Sequence, residues 1–390
     1  MIKIAVVVQR YGNEVVGGAE TLAKDVSERL NRTGFDVTVF TTTAKDYITW
    51  ENHFKQGVSI LKGVEIRRFP VDRVRDIDSF NDYSEVFFTK EQSVDEENMW
   101  IDTQGPVSSG LKEAVEKGQG DFDVFMFFTY LYYSTVKIIN LVKKPVILFP
   151  TAHDELPFHL KIMKDVFKRP DSFFFLTGAE QDLVEKSYHP NGKMNLLRTG
   201  IDIVENIDEN LFRLKYAVVA PFILYAGRIE RGKGLETVFE AYRKIRDKSV
   251  VNLVLMGKKF MDIPDTDGIR YVGFVSEEEK LSAFKGAMFS IQPSHFESLS
   301  ITTLESFSQK TPVLVNRKSN VLMEHVDISK GGTSYESVED FIDKFDFLNI
   351  HPSERIKMGK KGFDYVKEYF SWDVVLKKID KEVKRLTKKS

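Results

Sequence analysis

Short β-rich runs alternate with helical patterns along almost the whole chain, and this alternation restricts the fold more than any other feature. Apolar runs such as Ile2–Val8, Val124–Phe128 and Phe222–Ala226 are typical of buried strands. Helical stretches follow them, with apolar residues three and four positions apart. Strands that alternate with helices indicate βαβ units and parallel sheets. The sequence therefore predicts an α/β protein.

The pattern stops and restarts once, which indicates two α/β halves. We interpret Ile203–Ala220 as a linker, and 390 residues suffice for two or three domains of ordinary size. We predict an N-terminal Rossmann-like domain over residues 1–205, a C-terminal Rossmann-like domain over residues 206–370 and a terminal helix over residues 371–390. We expect the two domains to face a cleft, since ligands of such folds bind at the carboxyl ends of the strands.

Residues 43–105 interrupt the pattern. They contain few regular elements, several charges and large aromatic side chains, among them Trp50 and Trp100. A long irregular excursion in a compact domain is usually functional. We therefore predict that this segment belongs to the side of the protein that meets an acceptor.

The composition excludes several classes of protein. The absence of cysteine excludes disulfides, a cysteine nucleophile and cysteine-ligated metal, and it fits a reducing compartment. The net charge of −2 gives no indication of a nucleic-acid partner. No run approaches the ~18 apolar residues of a membrane span. We expect a cytoplasmic protein.

Paired glycines, Gly17 and Gly18, lie between the first predicted strand and a helix. Glycine lets a backbone approach a phosphate, and a helix N-terminus offers unpaired N–H groups and a positive dipole end. The pair therefore indicates a phosphate contact, although a tight turn into a helix has the same sequence.

A second glycine-containing loop, Gly227–Gly234, follows a predicted strand and precedes a helix. Arg228 and Lys233 supply positive charge where a diphosphate leaving group gathers negative charge. Two other interpretations stay open. One is a solvated loop with two cations; the other is an incomplete ATPase phosphate loop, in which Gly234 stands where a Mg²⁺-binding hydroxyl is needed.

Two acids, Glu297 and Glu305, bracket the start of another predicted helix. The proposed N-cap of this helix is Ser300, and its apolar stripe is formed by Ile301, Leu304 and Phe307. Glu305 lies about 40° around the helix from Ile301, at the edge of the stripe rather than on the solvent face.

The segment between the two acids is suited to a polar ligand. The backbone N–H groups of Ser298, Leu299 and Ser300 can face it. Glu305 can accept both protons of a vicinal ribose diol. The alternative is one acid favoured by the helix dipole and one ordinary surface acid.

His153 follows a buried strand, in the position where ligands of parallel sheets bind. Its imidazole is a candidate for a hydrogen bond to a sugar hydroxyl, and a structural histidine is the alternative. No metal site is predicted, because the seven histidines lack zinc-ligand spacing and the Asp-x-Asp pairs fall in turn-like sequence.

In this order, these residues resemble the GT-B fold glycosyltransferases of the large retaining family four, the glycosyl transferases group 1. Gly17-Gly18-Ala19-Glu20 matches the family's N-terminal G-G-A-E, and Glu297 and Glu305 match its E-x7-E motif. Its G-R-x-x-x-x-K-G element is similar to Gly227, Arg228, Lys233 and Gly234. Ser298 and Lys310 stand where the family has glycine.

The resemblance implies an enzyme that transfers a hexose from a UDP- or GDP-linked sugar to a carbohydrate or lipid-linked acceptor, with retention of the anomeric configuration. It implies no cofactor and no metal. Arg228 and Lys233 would hold the donor diphosphate, Glu305 the ribose and Glu297 the donor sugar, with His153 beside the reacting sugar. The remaining donor-binding residues would be Gly17, Gly18, Ser298, Leu299 and Ser300.

Other functions stay open. A non-catalytic accessory protein would use the same fold for binding, an epimerase would convert a nucleotide sugar without an acceptor, and a phosphorylase would need inorganic phosphate. The lysines of the last helix, Trp372–Leu386, would suit contact with an anionic inner membrane face. The acids Asp380 and Glu382 dilute that charge and favour packing between domains.

Overall fold

The computed structural model describes residues 1–295, 297 and 299–388. The chain forms two compact units. The N-terminal unit comprises Met1–Thr199 and the chain from Leu376 onward, and the C-terminal unit comprises Gly200–Val375. Each is built on a parallel or nearly parallel sheet, so the predicted α/β class is confirmed.

The sheet of the N-terminal unit has eight strands within the described residues. They are β1 (Lys3–Val7), β2 (Asp36–Thr42), β3 (Gly57–Leu61), β4 (Val64–Phe69), β5 (Val124–Phe128), β6 (Val146–Phe149), β7 (Ser172–Phe175) and β8 (Lys193–Leu196). Their order is β3-β4-β2-β1-β5-β6-β7-β8, and only the β3–β4 pair is antiparallel. The central strands are buried along their whole length, as expected for a sheet covered on both faces.

Seven helices of the N-terminal unit lie among these strands in the described chain, and most of one further helix, near residue 380, belongs to the same unit. They are α1 (Gly18–Arg32), α2 (Ile77–Phe87), α3 (Val94–Gln104), α4 (Ser109–Gly118), α5 (Tyr133–Val136), α6 (Met163–Lys168) and α7 (Gly178–Tyr188). Short 3-10 turns lie at Gln119–Asp121, Ile139–Leu141 and Leu156–His159.

The prediction that residues 43–105 contain few regular elements is wrong. The segment holds β3, β4, α2 and α3. Side-chain caps start both helices: Asp76 accepts from the Ser79 amide, and Ser93 forms a capping box with Glu96. These caps satisfy helix N–H groups that have no intrahelical acceptor, so they fix where each helix begins.

The sheet of the C-terminal unit is entirely parallel over six strands in the described chain. They are β9 (Phe222–Ala226), β10 (Asn252–Met256), β11 (Ile269–Gly273), β12 (Ser290–Gln292), β13 (Val313–Asn316) and β14 (Gly332–Tyr335). Their order is β11-β10-β9-β12-β13-β14. From β9 the chain adds strands toward one edge of the sheet, and from β12 it adds them toward the other edge. At such a switch point the loops that follow the two strands lie beside each other.

The helices of the C-terminal unit begin with one that the sequence did not indicate. They are α8 (Glu209–Lys215), α9 (Leu235–Arg246), α10 (Glu277–Gly286), α11 (Ile301–Ser308), α12 (Asn320–Ser329), α13 (Val338–Ile350), α14 (Pro352–Tyr369) and the first turn of α15 (Trp372–Thr387). The interpretation of Ile203–Ala220 as a linker is wrong, because it contains α8. Phe212 of this helix is fully buried, and its amide donates to Ser282 Oγ on α10 at 3.0 Å.

Helix α15 continues from one unit into the other, since the boundary lies between Val375 and Leu376. Its apolar face, including Val375, Ile379 and Val383, is fully buried. Glu382 on the same helix is ion-paired with Lys193 at 2.8 Å, within the N-terminal unit.

Candidate functional site

The loops after β9 and β12 lie next to each other because these neighbouring strands are parallel. Lys233 of the first loop and Glu297 of the second form an ion pair, with 2.9 Å between Nζ and Oε1. Both side chains are largely buried, with 25% and 17% of their surfaces exposed. The structure thus brings together one predicted cation and one predicted acid that are distant in sequence.

Gly234 allows this approach of the two loops. It has φ 75°, and an added Cβ would lie 2.2 Å from the carbonyl oxygen of Pro293. A side chain is therefore excluded both by the left-handed backbone and by the neighbouring chain. An ATPase phosphate loop needs a hydroxyl side chain at this position, whereas here the position is a glycine packed against the backbone of Pro293.

Arg228 is oriented differently from Lys233. Its guanidinium pairs with Glu230 at 3.1 Å, and 64% of its side chain is exposed. Tyr225, at the end of β9, donates its hydroxyl to the Arg228 carbonyl at 2.7 Å. Burial raises the pKa of Tyr225, and the carboxylates of Glu297 and Glu230 raise it further, so the phenol stays a neutral donor. Sequence reasoning missed this residue.

Glu305 lies on α11 with only 13% of its side chain exposed. Its Oε1 pairs with Lys280 Nζ of α10 at 2.7 Å. Its Oε2 is buried and accepts no hydrogen bond from the described part of the chain. A buried carboxylate oxygen without a donor is costly, so Oε2 is suited to a ligand hydroxyl.

Lys280 explains how Glu305 is held inside the protein. Burial raises the pKa of Glu305, whereas the positive charge of Lys280 lowers it and opposes part of that effect. Lys280 also pairs with Glu277 on its own helix at 2.9 Å. The sequence did not single out Lys280, because its role depends on the packing of α10 against α11.

The start of α11 differs from the prediction in two ways. Ser300 precedes the helix, but its backbone is left-handed (φ 57°) and its side chain does not cap an amide. Its hydroxyl instead pairs with that of Thr303 at 2.9 Å. Ile301, predicted to lie in the buried stripe, is 47% exposed, whereas Leu304 and Phe307 are buried.

The other predicted residues of this segment are only partly described. Leu299 is buried, and its carbonyl lies 2.7 Å from His325 Nε2. Ser298 lies outside the described residues. Lys310 has φ 60°, so the left-handed backbone that glycine would favour is present although the side chain is lysine.

Gly17 and Gly18 lie at the start of α1 in the N-terminal unit. An added Cβ on Gly17 would lie 2.2 Å from Glu20 Oε2, whereas Gly18 borders open space. Glu20 is buried and accepts hydrogen bonds from Gln9 Nε2 at 2.8 Å and Arg10 Nε at 2.9 Å. The need for glycine at position 17 is thus explained by Glu20, which sequence reasoning did not interpret.

His153 lies in the loop after β6 and is exposed. Its imidazole makes no hydrogen bond or ion pair with the part of the chain that the structure describes. The neighbouring Asp154 pairs with His159 at 2.7 Å, and Glu155 accepts from the Tyr130 hydroxyl at 2.7 Å. These contacts hold the loop on the C-terminal side of His153, and the exposed imidazole of His153 can contact a ligand.

The family model that matches this chain covers residues of the C-terminal unit alone. Residues 206–365 match the family model described as Glycosyl transferases group 1. An uncharacterized glycosyltransferase of Methanocaldococcus jannaschii is 29% identical over 144 residues, which cover 33% of this chain and 37% of that protein. The match thus spans little more than a third of this relative's length.

Solved structures are similar over the whole chain. Sucrose-phosphate synthase from Thermosynechococcus elongatus has a TM-score of 0.73 at 15% identity, covering 100% of both chains. HepE of Anabaena, solved in complex with UDP and glucose, has a TM-score of 0.67 at 13% identity, covering 99% of this chain and 100% of its own. The predicted GT-B fold is confirmed. In the described part of the chain, no helix combines the length and the apolar character that crossing a membrane requires.

Proposed function

We propose that this chain, whose residues 206–365 form a domain of the glycosyl transferases group 1 family within a GT-B fold, is a retaining hexosyltransferase. Its donor is a nucleotide diphosphate sugar, UDP- or GDP-linked, and its acceptor is a carbohydrate or a lipid-linked molecule. The HepE complex with UDP and glucose supports a nucleotide donor, since its fold covers 99% of this chain.

The observation that carries this proposal is the unpartnered Oε2 of Glu305. A vicinal diol supplies two hydroxyl donors, and a carboxylate paired with Lys280 can accept both. Hydrogen bonds to a charged group contribute about 1.5–3 kcal/mol each, which is enough to anchor a ribose. Glu305 is therefore the ribose ligand of the proposed site.

Lys233, Arg228 and Glu297 act on the reacting end of the donor. The bond between the anomeric carbon and the diphosphate oxygen breaks, and its electron pair stays on the diphosphate. Lys233 and Arg228 stabilise this charge, and Glu297, the partner of Lys233, contacts the donor sugar. The acceptor oxygen bonds the same face of the carbon, and its proton passes to the leaving phosphate oxygen. No metal or cofactor takes part in the proposed step.

The remaining predicted residues have supporting roles in the proposal. His153 donates to a hydroxyl of the reacting sugar, and its free imidazole supports this role. The backbones of Gly17, Gly18, Leu299 and Ser300 line the donor in this proposal, and the N-terminal unit provides the acceptor side.

We further propose that the enzyme acts in the cytoplasm, where a chain without cysteine needs no disulfide. Contact with an anionic inner membrane face would be electrostatic. The apolar face of α15 is already buried, and its exposed residues are lysines such as Lys377 and Lys381 together with Asp373.

The test is thermal unfolding with UDP-, GDP- and ADP-glucose, followed by assay of nucleotide release with carbohydrate acceptors. One nucleotide class should stabilise the protein by about 2.7 kcal/mol at a concentration 100 times its Kd. In Glu305→Ala the Kd should rise ~10- to ~100-fold, because charged hydrogen bonds are lost. Glu278→Ala, an exposed acid on α10, is the control and should bind as the wild type does.

Three results would contradict the proposal. Stabilisation by none of the three donors would remove the nucleotide-sugar site. Donor binding without release of nucleotide to any acceptor would favour an accessory protein. Conversion of the donor sugar without an acceptor would indicate an epimerase.

A further inference from the structure

The loop that carries His153 begins with an unusual backbone conformation. Thr151, two residues after β6, has φ 49°, which is left-handed and disfavoured for a β-branched residue. The next amide, that of Ala152, donates to Glu180 Oε1 at 2.9 Å. A strained turn persists only where neighbouring groups hold it, and Glu180 is such a group here.

Glu180 also holds the loop after the adjacent strand. It lies in the first turn of α7 and is 7% exposed. Its second oxygen, Oε2, accepts from the Leu176 amide at 2.8 Å. One buried carboxylate therefore joins the loops that follow β6 and β7, which are neighbours in the sheet.

The donors to Glu180 explain why the residue is an acid. The amides of Leu176, Ala152, Thr177 and Thr151 all favour the charged form, whereas burial opposes it. Backbone N–H groups can only donate, so they require acceptors at both carboxylate oxygens. A glutamine of the same shape would turn its NH₂ group toward one of these amides.

The other side of the loop has its own anchor. The Tyr130 hydroxyl, just after β5, donates to Glu155 Oε1 at 2.7 Å. His153 thus lies between two hydrogen-bonded residues of the loop. Ala152 before it donates to Glu180, and Glu155 after it accepts from Tyr130. The side chain of His153 is exposed and contributes to neither.

We propose that Glu180 is a positioning residue for His153: by joining the loops after β6 and β7, its buried carboxylate sets the direction of the imidazole toward the sugar. The inference rests on the proposed role of His153 in transfer. The bridge itself is a property of the fold and does not depend on that role.

The kinetic test compares Glu180→Gln with Glu185→Gln, which changes an exposed acid on the same helix. Glu180→Gln should lower kcat ~10- to ~100-fold, because small displacements of a positioned group have effects of this size. The KM for the donor should change less than about threefold, since the ribose and diphosphate contacts are untouched. Glu185→Gln should match the wild type. An unchanged kcat in a folded Glu180→Gln protein would overturn the proposal.

A second measurement requires no activity, and its wild-type arm requires no variant. Hydrogen exchange of the wild-type protein should show slow exchange at the Ala152 and Leu176 amides, although both lie in loops. In Glu180→Gln these amides should exchange at least ~10-fold faster. Fast exchange at both sites in the wild type would overturn the bridge. If the wild type transfers no sugar but shows this protection, the proposed function fails while the bridge stands.

Discussion

Lys233 is the residue on which the proposed chemistry depends most directly. Its ammonium group is within 2.9 Å of Glu297 and largely buried, so its position is fixed by contacts rather than by solvent. A fixed charge stabilises a developing negative charge without having to move. A mobile surface lysine would first have to be ordered, and it would lose side-chain entropy in the process. Position, rather than charge alone, distinguishes Lys233 from the other cations of its loop.

Lys233→Ala should therefore lower kcat about 10²- to 10³-fold, the size of effect typical for loss of one preorganised group. Arg231→Ala, which removes an exposed cation from the same loop, is the matched control and should stay within about threefold of the wild type. Both are measured as nucleotide release under saturating donor. Equal rates for the two variants would show that the ion pair has no part in transfer.

The spacing of residues predicted only some of this site. Lys233 and Glu297 could be predicted because each follows a strand, and parallel strands end at one edge of a sheet. Lys280 and Tyr225 could not, because an ordinary helix lysine and a strand tyrosine acquire their roles through tertiary contacts. The outward pairing of Arg228 with Glu230 likewise depends on the conformation of the loop.

At the scale of elements, the loop between β9 and α9 shows how backbone geometry fixes the site. Gly232 and Gly234 are both left-handed, with φ 88° and 75°. Nothing lies within 4 Å of a Cβ added to Gly232, whereas one on Gly234 would meet the Pro293 carbonyl. An alanine at position 232 would therefore add only backbone strain, whereas an alanine at position 234 would add both strain and a steric clash.

Gly232→Ala should lower the free energy of unfolding by about 1 kcal/mol, the cost of a left-handed alanine. Gly234→Ala should lower it by ~3 kcal/mol or more, because the loop after β12 must also move. Urea unfolding measures both, and donor affinity should fall only in Gly234→Ala. Equal losses of stability in the two variants would contradict the steric argument.

Strands with continuous apolar sequence, such as β5 and β9, were predictable because burial on both faces requires it. Edge strands were not: β3 is almost wholly exposed, and β11 has only exposed and half-buried residues. Helix α3 was missed because the residues that it buries include Glu97 and Gln104, which hide its apolar stripe. Polar burial and exposure at sheet edges both weaken the periodic signal.

At the scale of the whole molecule, Glu180 couples stability to pH. Burial raises its pKa from an ordinary value of 4.5 to about 7 in the folded protein. Between these two values the folded state keeps a proton that the unfolded state releases. Proton binding by Glu180 therefore stabilises the folded state fully below pH 4.5, and this contribution is lost as the pH rises through 7.

The free energy of unfolding of the N-terminal unit should therefore fall between pH 5 and pH 8, by on the order of 2 to 3 kcal/mol more than in Glu180→Gln. Tryptophan fluorescence in a Trp372→Phe background would report on this unit through Trp50 and Trp100. Parallel pH dependence in the two proteins would contradict the assignment to Glu180.

Helix α15 has a consequence for how the molecule is made. Its first turn belongs to the C-terminal unit, but the rest of it completes the N-terminal unit, where Glu382 pairs with Lys193. During synthesis residues 1–199 leave the ribosome long before this helix does. The N-terminal unit is therefore completed only after the C-terminal unit has been translated, and part of its surface stays uncovered until this helix arrives.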